Sequence, residues 1–180
     1  NNIKVLYGTE FYVVNDKRED AHFIYNPSDR KLSTSNFIIF DTETTGLSCR
    51  YDRLIEFGAV KVSPSGQVLD EIDFFINPDT KLSEFSIKVS HITQDMVDHG
   101  QPIKKALAMI LEFFGDDILV AHNAAFDYDF LNEALKNNGL APIQNPVIDT
   151  MQLSRYLYPE MRSHREEALA SKLGVPLDRK

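Results

Sequence analysis

Two carboxylates follow a run of apolar residues in the stretch IIFDTETTGL, residues 38–47. Asp41 and Glu43 lie two positions apart, so in an extended chain their side chains point to the same face. Neighbouring carboxylates repel each other unless a cation or a proton lies between them. Because their oxygens are hard ligands, they suit Mg²⁺ or Mn²⁺ better than zinc. The stretch indicates a divalent-metal site, and a solvated exit from a strand into a turn is the alternative.

A sharp turn follows the two acids. Thr44, Thr45 and Gly46 come next in the chain, and a turn here lets backbone N–H groups approach a phosphate or a nucleotide. We therefore treat these three residues as candidates for contact with a substrate.

A second group of polar residues lies in LVAHNAAFDYDFL, residues 119–131. A predicted strand ends at His122 and Asn123, and Asp127 falls in the first turn of the next predicted helix. A carboxylate in that turn is favoured by the helix dipole and can still bind a metal ion. Taken alone, Asp127 and His122 are better explained as a helix-end charge and a hydrogen-bonded loop residue.

Hydrophobic periodicity places these groups at the ends of predicted strands. Strands are predicted at 37–41, 53–62, 67–77, 116–123 and 146–149, and helices at 102–114, 124–138, 150–158 and 163–173, with short helical pieces over 84–100. Thr93 is expected to cap one short piece, and the largely apolar run 37–41 is predicted to be buried on both faces. A hairpin meander followed by alternating strands and helices is typical of an α/β fold with a mixed sheet. Sites in such sheets form outside the carboxyl ends of strands, where Asp41, Asp127 and Asp149 are expected.

The two stretches, D-x-E-T-x-G-L and then H-N-x-x-F-D, together resemble the DnaQ-like proofreading exonucleases of the DEDD class. Further segments, among them YDRLIEFGAVKV, GDDILVAHNAAFDYDFLN and LYPEMRSHR, are similar to the exonuclease segment of PolC-type replicative DNA polymerases. In that family the exonuclease lies inside a much longer polymerase chain. The resemblance implies a ribonuclease H-like α/β fold, with a mixed five-stranded sheet flanked by helices.

The resemblance also implies a reaction. Asp41, Glu43 and Asp127 would be the catalytic residues and would bind two Mg²⁺ or Mn²⁺ ions, with Asp41 bridging both. The reaction would be two-metal hydrolysis of a 3′-terminal phosphodiester, which releases a nucleoside 5′-monophosphate.

Other residues are candidates for substrate contact. By resemblance, Leu47 would wedge against the terminal base, although packing in the core is an alternative. Asn123 and Phe126 could also contact the substrate. Phe130, four positions further along the same helix, is assigned to the core, and His122 to a structural role.

The third motif of the family, a His with an Asp four or five residues later, is not found up to Lys180. His164 has no Asp at that spacing, so it is not assigned as the general base. We expect the chain to be a piece of a longer protein that carries the general base and a fourth carboxylate further on. Because general-base catalysis is worth ~10²–10⁴-fold, we also expect low activity from this piece.

Composition and charge fit one domain of a cytoplasmic protein. The 180 residues are 43% hydrophobic and 26% charged, enough for a single core. The one cysteine, Cys49, excludes an intramolecular disulfide and fits a reducing compartment. No apolar run approaches the ~18 residues of a membrane span, so no membrane partner is expected. The net charge of −8 argues against a broad basic surface, but metal ions on carboxylates would reverse it locally.

Residues 1–35 are interpreted as a connector or a remnant of a neighbouring domain, with a predicted strand over 5–14, and residues 36–180 as the exonuclease domain. The expected partners are the single-stranded 3′ end of DNA and other domains of a parent polymerase. Three functions stay open at this point. They are a proofreading exonuclease for DNA replication, an exonuclease attached to a helicase or acting on RNA, and a catalytically incomplete domain that binds 3′ ends or other polymerase domains.

Overall fold

The structure, a computed structural model, describes residues 24–176. Its strands are β1 Ile24–Tyr25, β2 Phe37–Thr44, β3 Leu54–Val62, β4 Val68–Asn77, β5 Gln101–Pro102, β6 Ile118–Ala121 and β7 Val147–Asp149. Its α-helices are α1 Glu84–Ser90, α2 Gln94–Asp98, α3 Ile103–Phe114, α4 Ala124–Asn137, α5 Thr150–Leu157 and α6 Glu166–Leu173. The predicted mixed α/β fold is confirmed, and each predicted strand and helix within the described residues is present. The predicted strand over 5–14 lies outside them.

One mixed sheet contains all seven strands, in the order β1-β7-β6-β2-β3-β4-β5. The predicted number of five strands was too low, because the two-residue strands β1 and β5 extend the sheet at its two edges. Strand β2 lies in the middle, parallel to β6 and antiparallel to β3. Its carboxyl end therefore projects past the end of the β6 pairing, toward the helix that follows β6.

Strand β2 is not buried on both faces, contrary to the prediction. Ile38, Phe40 and Thr42 are buried, whereas Ile39 is 43% exposed and Asp41 is open to solvent. The alternation follows from the two-residue period of a strand. One face of this strand packs on the core, and the other faces a cleft that helix α6 only partly covers. A strand made of a run of apolar residues can thus still have one face exposed to solvent.

The buried face of the sheet packs against α3 and α4. Helix α3 begins after Pro102 and ends at Gly115, as its pattern predicts. It buries Phe114, whose ring lies edge-on against Phe40 and Phe57 at centroid distances of 5.3 and 5.7 Å. Such edge-to-face pairs add to the energy of burial. Thr93 caps α2 by accepting a hydrogen bond from the backbone N–H of Met96, which confirms that prediction. No helix of the described residues is long and apolar enough to cross a membrane.

The segment before β2 is attached to the sheet. Strand β1 pairs antiparallel with β7. The side-chain amide of Asn26 donates to the Tyr128 hydroxyl and to the carbonyls of Ile143 and Asn145, at 3.2, 3.1 and 3.1 Å. The ring of Tyr25 stacks on Tyr128. Residues 24–26 thus contact the domain, and most of the proposed connector over 1–35 lies outside the described residues.

Replacing Asn26 by alanine is expected to lower the free energy of unfolding by about 2 kcal/mol. The change removes the three amide contacts, and it puts alanine at a positive φ of 49° that asparagine tolerates better. Chemical denaturation measures the effect, with exposed Asp29→Ala in the same segment as the control. Equal stability of both variants would show that residues 24–26 do not hold the sheet edge.

Candidate active site

Asp41 and Glu43 lie on the same face of β2, as their spacing predicts. They follow the last residue paired with β6, Ile39, so they stand where the sheet opens toward the next helix. Asp41 is exposed, but the protein atoms around its carboxyl partly desolvate it and raise its pKa, and the Glu166 carboxylate on α6 adds to the rise. Desolvation and the neighbouring Asp41 also raise the pKa of Glu43. The two acids therefore have an environment that disfavours their charge.

Asp127 is brought to the same place by helix α4. Its carboxyl is 3% exposed, and its Oδ1 accepts hydrogen bonds from the Thr42 N–H at 3.0 Å and the Thr42 hydroxyl at 2.7 Å. Thr42 lies between Asp41 and Glu43, so one residue of β2 joins both predicted stretches. Burial raises the pKa of Asp127 to about 7, and Asp41 contributes to the rise. Since both Thr42 bonds use Oδ1, the other oxygen, Oδ2, is the atom that could serve a metal ion.

Glu56 is a fourth acid that the sequence analysis missed. It lies on β3 directly opposite Glu43 in the antiparallel register, so the two side chains share a face. Burial raises its pKa to about 7, with contributions from Asp73, Glu43 and Asp41. The signal that could have found it was the hairpin register, which depends on the length of the loop between β2 and β3.

The chemistry of these donors fits a hard divalent cation. Asp41, Glu43, Glu56 and Asp127 all have raised pKa values. Within residues 24–176, no salt bridge includes any of the four. A cation would remove the repulsion and lower their pKa values. As the side chains stand, no group of three or more His, Cys, Asp or Glu among the described residues is close enough to hold an ion.

Asp52 shapes the loop between β2 and β3. Its carboxylate accepts hydrogen bonds from the Ser48 N–H at 2.9 Å and from the Thr45 hydroxyl at 3.2 Å. A Cβ on Gly46 would lie 2.6 Å from that carboxylate, so only glycine fits there without displacing Asp52. The Thr44 hydroxyl donates to the Gly46 carbonyl at 2.6 Å. The predicted sharp turn is therefore present, and the threonine hydroxyls serve the loop itself.

Leu47 projects from this loop into solvent. It is 88% exposed, so the alternative that it packs in the core is wrong. A leucine side chain with this exposure contributes almost no burial energy to the stability of the fold. The position therefore leaves Leu47 free to contact a bound molecule.

Leu47→Ala is expected to change the free energy of unfolding by less than about 0.5 kcal/mol, because the side chain has little to lose. Affinity for a single-stranded 3′ end is expected to fall about tenfold, as part of a leucine's burial energy is lost. Thermal melts and fluorescence anisotropy measure the two effects. Val68→Ala, at an exposed residue at the other end of the hairpin, is the control. A large drop in melting temperature would contradict the exposed position.

The residues around the start of α4 divide between surface and core. Asn123 is exposed, has a positive φ of 66°, and its N–H donates to Asp149 Oδ1 at 3.3 Å. Phe126 is partly buried against Phe130, with ring centroids 4.8 Å apart. Phe130 is 3% exposed, which confirms its assignment to the core. Neighbouring His122 contacts the Thr150 hydroxyl through Nδ1 at 3.0 Å, consistent with a structural role.

Asp149 and His164 have structural contacts. Asp149 is 1% exposed and caps α5, because Oδ1 accepts from the N–H groups of Met151 and Gln152. His164 Nδ1 lies 3.0 Å from the Ser154 hydroxyl. Asp149 is thus accounted for as a helix cap, and the leaving of His164 unassigned as the base stays a prediction.

Comparison with known proteins identifies the family to which this chain belongs. A family model described as Exonuclease (RNase T) matches residues 38–180, which include Asp41, Glu43 and Asp127. The chain belongs to this exonuclease family. The chain is 42% identical over 178 residues to the PolC-type DNA polymerase III of Latilactobacillus sakei and, over the same length, to that of Bacillus subtilis. These alignments cover 99% and 98% of this chain, but the chain spans only 12% of the length of either relative.

Solved structures of exonucleases share the fold. Escherichia coli exonuclease I in complex with a dT13 oligonucleotide has a TM-score of 0.70 at 22% identity, over 80% of this chain and 37% of that one. Exonuclease X in complex with 5′-overhanging duplex DNA has a TM-score of 0.62 at 27% identity, over 80% and 76% of the two chains. The exonuclease domain thus has the ribonuclease H-like α/β fold that the resemblance implied.

Proposed function

We propose that this domain is a 3′–5′ exonuclease that removes nucleotides from the single-stranded 3′ end of DNA, as the proofreading module of a cytoplasmic replicative polymerase. The observation that carries the proposal is the placement of Asp41, Glu43 and Asp127 at the same end of the sheet, where Thr42 of β2 donates two hydrogen bonds to Asp127. Membership of the exonuclease family supports hydrolysis, and the similarity to PolC-type polymerases supports a partnership with other polymerase domains.

The three carboxylates would hold two Mg²⁺ or Mn²⁺ ions. When bound, such ions stabilise the charge on the phosphate and lower the pKa of the attacking water. The water oxygen forms a bond to phosphorus, the bond from phosphorus to the 3′ oxygen of the preceding nucleotide breaks, and that oxygen takes a proton. The products are a nucleoside 5′-monophosphate and a strand shortened by one nucleotide.

The chain's own residues position the substrate. The turn of Thr44, Thr45 and Gly46, directly after Glu43, would contact the terminal nucleotide, and the bonds of the two threonine hydroxyls to the Gly46 carbonyl and to Asp52 hold this turn in shape. Leu47 would press against the terminal base from its exposed position. Asn123 and Phe126 would complete the pocket from the α4 side, where they lie four positions and one position before Asp127.

A polarity assay tests the proposal. A single DNA strand labelled at its 3′ nucleotide is incubated with the chain and Mn²⁺, and a strand labelled at its 5′ end is the parallel substrate. A 3′–5′ exonuclease releases labelled mononucleotide at once from the first and a ladder of shortened strands from the second. Release of mononucleotide from the 5′ label first would contradict the polarity, and faster hydrolysis of RNA would favour an exoribonuclease.

A second function has an observation in its favour. The acids of the described residues are not gathered closely enough to hold an ion as they stand. A domain that binds 3′ ends without cleaving them would have this property. Binding of the strand with no mononucleotide released at any Mn²⁺ concentration would support this second function over hydrolysis.

A further inference from the structure

A cleft of about 450 Å³ lies beside the loop that follows Glu43. One wall is the β2–β3 loop, with Thr45, Tyr51 and Arg53, and the other is the segment between β4 and α1, with Lys81. Thr45 belongs both to this cleft and to the turn that would contact the terminal nucleotide. The cleft therefore continues directly from the proposed position of the 3′ end.

Aromatic rings at this edge of the molecule are open to solvent. Tyr51 is 74% exposed and Phe85, in the first turn of α1, is 73% exposed. The Arg50 guanidinium lies 5.6 Å from the centroid of the Tyr51 ring. Single strands bind through stacking of their bases on exposed aromatic rings of this kind.

The charges around the cleft favour a polyanion. Arg53 and Lys81 line the cleft, Arg50 lies beside the Tyr51 ring, and Lys88 is on α1, in a chain whose net charge is −8. Asp52 and Asp79 also line the cleft, and Glu84 is at the start of α1. The Asp52 carboxylate is bound to the Ser48 N–H and the Thr45 hydroxyl, so it is turned toward its own loop. Cations next to stackable rings match the phosphates and bases of a single strand better than an acidic or apolar peptide.

We propose that this cleft holds the DNA strand upstream of its 3′-terminal nucleotide, with Lys81 and Arg53 against its phosphates and Tyr51 stacked on a base. The position of the 3′ end rests on the proposed function. Arg53 already donates to the carbonyls of Tyr51 and Asp52, so its side chain also keeps the loop in shape. Lys81 and Tyr51 are therefore the residues to test.

The test measures affinity by fluorescence anisotropy, with Ca²⁺ in place of Mn²⁺, for a fluorescent nucleoside 5′-monophosphate and for a DNA strand of about ten nucleotides. Tyr51→Ala is expected to weaken binding of the longer strand roughly 5- to 150-fold, the range of one base–aromatic stack. Tyr51→Phe keeps the ring and is expected to bind like the unmodified chain. Lys81→Gln is expected to reduce the slope of log affinity against log salt by about 0.7. Lys31→Gln, the same change at the opposite end of β2, is expected to leave the slope unchanged.

The outcomes separate this proposal from the proposed function. Unchanged affinity and salt slope in Tyr51→Ala and Lys81→Gln, in a chain that still releases mononucleotide, would overturn the cleft alone. Strand binding that depends on both residues, with no mononucleotide released, would support the cleft and contradict the exonuclease. Weaker binding of the nucleoside 5′-monophosphate to the same extent would place Tyr51 at the terminal nucleotide and overturn the upstream position. Tighter, equally dependent binding of RNA would overturn the assignment to DNA.

Discussion

Replacing Asp41 by asparagine is expected to lower the rate of mononucleotide release by more than ~100-fold. Loss of a residue that merely supports a metal ligand costs 10–100-fold, so the loss of a direct ligand should cost more. Asparagine keeps the shape of the side chain and removes its charge. Asp41 is also the carboxylate that acts on the pKa values of Glu43, Glu56 and Asp127, so it is electrostatically central to the group.

The control for this variant is Asp70→Asn on β4. Asp70 lies opposite Lys61, toward the other end of the hairpin. The change to asparagine at this position removes the same charge from the same sheet. Isothermal titration with Mn²⁺ gives a readout that does not depend on turnover, and Asp41→Asn should bind the ion more weakly than Asp70→Asn. Equal rates and equal Mn²⁺ affinities in the two variants would rule out Asp41 as a ligand.

Asp127→Asn is expected to stabilise the metal-free chain by about 2–4 kcal/mol at pH 8 while abolishing release of mononucleotide. The buried carboxyl has its pKa raised from 3.8 to about 7, so its folded form holds a proton that the unfolded chain releases near pH 4. Asparagine keeps an oxygen that can accept both hydrogen bonds from Thr42 and carries no charge. Because one pKa unit is worth about 1.4 kcal/mol, the upper limit of the gain is about 4 kcal/mol.

The sign of the pH dependence follows from the raised pKa. Below about pH 4 the carboxyl of Asp127 is protonated in both the folded and the unfolded chain, so it does not lower the free energy of unfolding there. As the pH rises from about 4 to 7, the unfolded chain loses its proton first, so the stability of the unmodified chain falls. The advantage of Asp127→Asn should therefore be near zero at pH 4, grow up to pH 7, and remain constant above it.

Thermal melts in EDTA at pH 4, 6 and 8 measure this dependence. Asp129→Asn, at an exposed position on the same helix, is the control and should follow the unmodified chain at each pH. Added Mn²⁺ should stabilise the unmodified chain more than Asp127→Asn, since the ion binds the charged form. A gain that is the same at pH 4 and pH 8 would show that the charge of Asp127 is not responsible.

Local rules were enough to predict part of the site. The common face of Asp41 and Glu43 follows from the period of a strand, and the place of Asp127 follows from the start of a helix after a parallel strand. The link between the two stretches through Thr42 was not predictable. It depends on how far β2 extends beyond β6, which is set by tertiary pairing and not by either segment alone.

Other features of the site could not be predicted from the sequence for similar reasons. Glu56 faces Glu43 only because the loop between β2 and β3 fixes one hairpin register out of several. The hydrogen bonds that Asp52 accepts from Thr45 and Ser48 depend on how the loop folds back on itself. The turn propensity of the residues predicts only that a turn is present. The exposure of Ile39 depends on which face of the sheet the helices cover, and a run of apolar residues does not indicate which face that is.

The two hydrogen bonds from Thr42 to Asp127 join residues that are 85 positions apart in the chain. During synthesis, β2 leaves the ribosome well before α4, so its two acids are exposed for some time without their third partner. Neither a nascent chain nor one in which α4 has detached can assemble the three-carboxylate group. Under the proposed function, cutting activity would therefore arise only together with the native topology of the sheet and α4.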